Sequence, residues 1–185
     1  MYENGEELLL ATSPVFKRRY AHDGDLVLGC KMGCKFCYYR WIRASRDFIG
    51  TGKLKPLTTP RGMVEFLKRS KLFKRRDLLI LGARGDASMY PRDLLRFMEL
   101  TDGDPYFRDN IVLALHRAPA TETILDCSGF RNFRFGTTIT PRAFELGWTV
   151  VPEERQIERL KWLVESGFPA WKASIEVGPL NSLNI

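Results

Sequence analysis

Apolar residues recur along this chain in short blocks that end at glycine, proline or polar clusters, and the blocks alternate between two periods. Leu26-Val27-Leu28, Asp77 to Leu81, Ile111 to Leu115, Phe133 to Ile139 and Trp171 to Val177 have the length and β-branched or aromatic content of buried strands. Between them the spacing turns helical. Thr58-Thr59-Pro60 predicts a helix start, with a hydroxyl for the free amides and a proline in the first turn, and Met63, Phe66, Leu67 and Leu72 supply its apolar stripe. Pro91 opens a second helix with Leu94, Leu95, Met98 and Leu100 on its inner side, and a short helix is expected from Ala120 to Cys127. Ile157, Leu160, Leu163 and Val164 mark the stripe of a fourth, from Pro152 to Ser166, stopped by Gly167.

Strand and helix alternating five times imply parallel strands joined by crossover helices. The fold class is therefore α/β. A partial (β/α)6-type TIM barrel over residues 25–185, preceded by an N-terminal arm at 1–24, fits better than a doubly wound sheet. In barrels of this kind the functional groups sit on loops at the carboxyl ends of the strands. Those ends carry a cysteine-rich loop, Gly85-Asp86, His116-Arg117, Thr137-Thr138 and Glu176, so the polar punctuation converges on one rim.

Composition narrows the classes. A chain of 185 residues with 44% hydrophobic and 12% aromatic content is long enough for one real core and is not a disordered segment. The surplus of 29 Lys+Arg over 22 Asp+Glu suits an anionic partner, nucleic acid among them. Lys31, Lys35, Arg40, Arg43 and Arg46, interleaved with Tyr38, Tyr39 and Trp41, are placed to meet such a partner, whereas Lys68, Arg69, Lys71, Lys74, Arg75 and Arg76 cover a helix end. An acidic start and a short apolar run, Leu8 to Ala11, do not make a signal peptide, and no run is long enough to span a bilayer, so a cytoplasmic protein with reduced cysteines and no membrane partner is expected.

Three of the four cysteines lie at Cys30, Cys34 and Cys37 within one loop. Neighbours that close rarely form an unstrained disulfide, so ligation is the natural reading. A structural zinc site takes four ligands, and Cys127, His22 and His116 all lack finger-like spacing as the fourth. In a cubane iron–sulfur cluster, three thiolates hold three irons and leave the fourth open to a reacting molecule. From the residues alone, a catalytic cluster and a non-catalytic zinc or iron–sulfur nucleic-acid-binding module both stand.

Cys30-x-x-x-Cys34-x-x-Cys37, with Phe36 before the last cysteine, resembles the signature of the radical S-adenosylmethionine (radical SAM) enzymes. A narrower likeness, over residues 25 to 183, is to the branch related to spore photoproduct lyase: Cys37-Tyr38-Tyr39-Arg40, then Asp86, Tyr90 and Pro91, a Thr-rich fourth strand, Leu163 and Gly167, and Pro179-Leu180-Asn181. The Asn-Pro-Tyr usual before the first cysteine is replaced by Leu26-Val27-Leu28, and a Thr-Lys-Ser-like exit from the third strand by Leu115-His116-Arg117.

The resemblance implies a radical SAM core and a [4Fe-4S] cluster on Cys30, Cys34 and Cys37 that binds S-adenosylmethionine. Reductive cleavage of that cofactor would give a 5'-deoxyadenosyl radical that takes hydrogen from a nucleic-acid or other anionic substrate. It implies an electron donor such as flavodoxin or ferredoxin. Phe36 is expected near the adenine, Gly85 and Asp86 at the cofactor's amino group, Thr137 and Thr138 at its ribose or carboxylate, and His116 and Glu176 in the same mouth. The family core has six strands, and the chain reaches Ile185 soon after the fifth, so the expectation is either a barrel lacking or truncated at its last strand, or an open edge covered by the N-terminal arm or another chain.

Overall fold

The first of the parallel strands is the one with least apolar character. In this computed structural model, which describes residues 10–12, 21–41, 46–70 and 72–177, Leu10–Thr12 (β1) pairs antiparallel with Ala21–Gly24 (β2). The first barrel strand is thus β2, not Leu26 to Leu28 as the apolar run predicts. Its polar side chains are buried because they find partners: His22 Nε2 lies 3.0 Å from Asp77 Oδ2, and Asp23 Oδ2 accepts from the Tyr39 hydroxyl at 3.1 Å. Hydropathy patterns do not register a strand stabilised in this way. Val27–Leu28 (β3) instead pairs with Lys55–Pro56 (β4) in a short antiparallel ribbon beyond the end of β2. The sheet therefore begins inside the segment read as an arm.

The remaining elements lie close to their expected places. Pro60–Arg69 (α1) is capped by Thr59, whose hydroxyl accepts from Gly62 N, and it ends before Leu72, which is 55% exposed and not part of the stripe. Leu78–Leu81 (β5), Pro91–Asp102 (α2), Ile111–His116 (β6), Glu122–Asp126 (α3), Phe133–Ile139 (β7), Glu153–Glu165 (α4) and Ala173–Val177 (β8) complete the chain. Two cations around the end of α1 are paired with acids, Lys68 with Asp104 and Arg75 with Asp109. Leu8, Arg43, Lys71 and the Pro179-Leu180-Asn181 exit lie outside the described residues.

The sheet order is β1-β2-β5-β6-β7-β8, and from β2 onward each strand is parallel to the next. Parallel strands added always to the same side wind in one sense, which is the topology of a partial barrel and not of a doubly wound sheet. Alternation along the strands separates the two faces. Leu79, Leu81, Val112, Ala114, Phe133 and Phe135 join Met63, Leu67, Leu94, Phe97, Met98 and Leu163 of the helices in one core. Residues of opposite parity, including Ile80, Leu113, Leu115 and Thr138, face the concave side. Among the described residues no helix is long and apolar enough to cross a membrane.

Helix α4 departs from its predicted face. Ile157 and Val164 are 41% and 39% exposed, while Leu163 and the polar Gln156 are buried. Truncating Leu163 to Ala should therefore cost about 2–5 kcal/mol in urea unfolding, and Ile157→Ala less than about 1 kcal/mol. Equal costs would contradict this packing.

Candidate functional site

The rim is assembled by three buried polar side chains, each spanning two successive strand exits. Asp25, just past β2, is fully buried and accepts from Gly82 N at 2.6 Å, Arg84 N at 2.9 Å and the Tyr90 hydroxyl at 2.9 Å, all beyond β5. Burial raises its pKa from 3.8 to about 6, although these donors and the Arg84 charge pull it the other way. Asp86, beyond β5, accepts from Arg117 N at 2.6 Å and Ala118 N at 2.9 Å beyond β6, and from Ser88 N at 2.9 Å in its own turn. Gln156 of α4 donates to Arg117 O at 2.7 Å, Thr138 O at 3.0 Å and Thr137 Oγ1 at 3.3 Å, tying the β6 exit to the end of β7.

The cysteine loop is docked on this rim by backbone. Gly29 forms a parallel bridge with Gly85, and Cys30 one with Ile49. The approach at Gly85 leaves no room for a side chain, since a Cβ there would stand 2.6 Å from the Gly29 carbonyl oxygen. Lys35 N donates to Trp148 O at 2.9 Å and the Cys34 thiol to Thr149 Oγ1 at 3.7 Å, so the segment after β7 buttresses the loop from the other side. Tyr39 closes onto β2 through Asp23, and burial, then the Asp23 and Asp25 charges, keep its hydroxyl protonated well above the usual range.

All four cysteines are unbridged, and Cys30 and Cys34 are buried. Burial pushes the Cys30 thiol up to about 12, with the Asp86 charge and the Cys34 and Cys37 thiols adding to the rise. Burial raises Cys37 as well. Among the described residues no three cysteine, histidine or carboxylate side chains stand together as a formed metal site. The fit to a cluster is one of donor set and position: three free thiols on one loop at the carboxyl end of a barrel. Cys127 lies apart, fully buried in the helical layer just after α3.

The other expected residues divide between the two faces. Phe36 is half-buried, with the Arg117 guanidinium 4.9 Å from its ring centre, and Arg117 also donates to Thr140 Oγ1 at 2.9 Å. Thr138 faces the concave side, but Thr137 turns to the helices and is held by Gln156. His116 likewise points into the helical layer. It is 1% exposed, sits edge-on to Phe135 at 5.2 Å, and neither ring nitrogen has a partner. Burial lowers its pKa, against the opposing Asp86 charge, so the ring is neutral. The expected grouping of His116 and Thr137 in the mouth does not match their direction in the sheet. Glu176 pairs with Thr138 in register, and its side chain lies outside the described set.

Sequence reasoning missed Asp25, Gln156 and the segment around Thr149. Asp25 carried one usable signal, a carboxylate immediately ahead of the apolar run that leads into the cysteine loop. Gln156 carried none, being a polar residue within a helix whose apolar stripe lies one position away.

Three substitutions test this arrangement. Gly85→Ala should destabilise by about 1–3 kcal/mol because the obstacle is backbone, while Gly103→Ala, with nothing within 4 Å of the new methyl, should be nearly neutral in the same urea titration. Asp25→Asn should cost about 1–3 kcal/mol by turning an amide donor toward backbone donors. Because the folded pKa of Asp25 lies above its unfolded value, wild-type stability from this group is fully present below about pH 4 and is lost as pH rises through 6. The cost of Asp25→Asn should therefore be larger at pH 4 than at pH 7. A cost that grows with pH would contradict the burial argument.

No family model and no curated protein matches the chain. Solved structures do. Spore photoproduct lyase complexed with dinucleoside spore photoproduct superposes with a TM-score of 0.70 at 12% identity, over 95% of this chain and 49% of that one. A tyrosine-to-phenylalanine mutant of the lyase gives 0.69 at 12% identity over 93% and 48%. A double mutant with bound AdoMet and dinucleoside spore photoproduct gives 0.65 at 13% identity over 85% and 45%. The chain thus spans about half the length of the solved structures it matches. What these likenesses establish is the fold: a partial α/β barrel shared with spore photoproduct lyase.

Proposed function

We propose that this chain is the cofactor-binding core of a radical SAM enzyme. The observation that carries the reading is the three-thiol loop at Cys30, Cys34 and Cys37, docked by Gly29 and Gly85 on the carboxyl rim of a barrel shared with spore photoproduct lyase. Those thiols would hold a [4Fe-4S] cluster, and the concave face beside them would receive S-adenosylmethionine. When bound, the pair supplies an adenosyl radical for hydrogen abstraction.

The protein's own part is orientation. Phe36 under the Arg117 guanidinium forms a planar wall at the mouth, suited to an adenine or a carboxylate. Gly85 holds the loop at its closest approach. Asp86 has three backbone donors on its carboxylate, which leaves about one of its four acceptor positions for the cofactor's ammonium group. Thr138 lies on the concave face, and Glu176 stands opposite it in register on the next strand. In this reading His116 and Thr137 act from the helical layer, by fixing the ends of β6 and β7, and do not touch the cofactor. The net charge of +7 and the neighbour complexed with dinucleoside spore photoproduct favour a nucleic-acid-derived substrate. Raised thiol pKa values mean that metal binding must displace protons, so assembly should be favoured at alkaline pH.

Anaerobically reconstituted protein should carry about four iron and four sulfide per chain, and it should release 5'-deoxyadenosine with dithionite and S-adenosylmethionine. Cys37→Ser should abolish cluster uptake, whereas Cys127→Ala should retain it. Tight stoichiometric zinc with no cluster would sink the reading, and full cluster uptake with no cofactor cleavage would favour a nucleic-acid-binding module.

A further inference from the structure

The most exposed large apolar side chain among the described residues is an indole with two cations against it. Trp171 is 69% exposed, the Arg134 guanidinium lies 4.5 Å from its ring centre, and the Lys172 ammonium lies 5.4 Å from it. Backbone carbonyls fix both cations. Arg134 Nη1 donates to Arg131 O at 3.0 Å and Phe133 O at 2.7 Å, and Lys172 Nζ donates to Ser128 O and Phe130 O, each at 2.8 Å. Neutral acceptors hold a charge in place without cancelling it, and neither cation forms an ion pair among the described residues. Burial lowers the pKa of Arg134, and burial followed by the Arg134 charge lowers that of Lys172, against the opposing charge of Asp102. Donors also remain, about three N–H groups on the guanidinium and one on the ammonium.

Arg134 is the second residue of β7 and Trp171 stands just before β8, so the cluster sits at the amino ends of these strands, the opposite end of the sheet from the cysteine loop. Along β7, Arg134 and Thr138 are about 13 Å apart. A flat aromatic surface beside cations with donors to spare matches a nucleobase and its phosphate: the base stacks on the ring and the phosphate takes the charge. Small-molecule sites enclose most of their ligand, whereas a ring this exposed is a platform, which suits an extended strand better than a free nucleotide. An acidic protein surface would meet the charge and leave the stacking surface unused. We propose that Trp171, flanked by Arg134 and Lys172, is a stacking platform for single-stranded nucleic acid at the end of the barrel remote from the cysteine loop. The platform is independent of what that loop holds.

The test follows the fluorescence anisotropy of a labelled oligothymidylate of about 12 nucleotides with the anaerobically reconstituted full chain at low and high salt. Wild-type affinity should fall with salt. Trp171→Ala should weaken binding about 5-fold or more, Trp171→Phe should retain most of the affinity because a ring remains, and Arg134→Gln should weaken binding and reduce the salt slope by about 1. Iron content and release of 5'-deoxyadenosine should be unchanged in all three variants. Trp171 is exposed, so its variants should fold, and the contrast between Ala and Phe separates stacking from a loss of structure. Wild-type affinity in Trp171→Ala would overturn the proposal, as would thymidine monophosphate binding as tightly as the oligonucleotide. A dimer that Trp171→Ala dissolves with no change in oligonucleotide affinity would seat a second copy of the chain on the ring and overturn it too.

Discussion

Every strand exit at the carboxyl end of this sheet leaves backbone N–H and C=O groups with no further strand to receive them, and such groups are costly to bury unpaired. From β2 to β7 the chain meets that constraint with one buried side chain for each of the three successive pairs of exits. Asp25 joins the exits of β2 and β5, Asp86 those of β5 and β6, and Gln156 those of β6 and β7. Each has more than one bond to make, so each fixes a loop relative to its neighbour and not merely its own turn. The raised pKa of Asp25 is the energetic trace of this arrangement: a carboxylate kept out of water for the sake of its donors.

The thiol loop inherits its position from that lacing. Gly29 lies against Gly85, and Gly85 sits between the two residues, Arg84 and Asp86, that Asp25 and the β6 exit hold in place. Tyr39 returns the far end of the loop to β2, and Trp148 and Thr149 support it from the β7 side. A displacement at any lace is thus carried to the cysteines through backbone contacts rather than through a flexible side chain. Arg117 shows the same economy, with its N–H on Asp86, its carbonyl on Gln156 and its guanidinium over Phe36.

How much of this the sequence disclosed follows from what each element depends on. β5, β6, β7 and their crossover helices are buried by apolar side chains, and periodicity located them within a residue or two. β2 is buried by paired polar groups, His22 with Asp77 and Asp23 with Tyr39, so the apolar run at Leu26 to Leu28 drew the assignment away from it. The three cysteines were legible because thiols at that spacing have few other uses. The direction of Thr137 against Thr138, and of His116, was not, because one residue of register reverses the face and nothing local fixes it. Asp86 could be named from its place after β5, but its bonds to Arg117 N and Ala118 N depend on the parallel pairing of β5 with β6.

The central claim is that the loop of Cys30, Cys34 and Cys37 holds a cluster with one iron open to S-adenosylmethionine on the concave face. The most direct measurement is the electron paramagnetic resonance spectrum of the reduced, reconstituted protein with and without that cofactor. The account predicts a cubane signal that changes shape when S-adenosylmethionine is added. A signal indifferent to the cofactor, or no cluster signal from protein loaded with zinc, would contradict it.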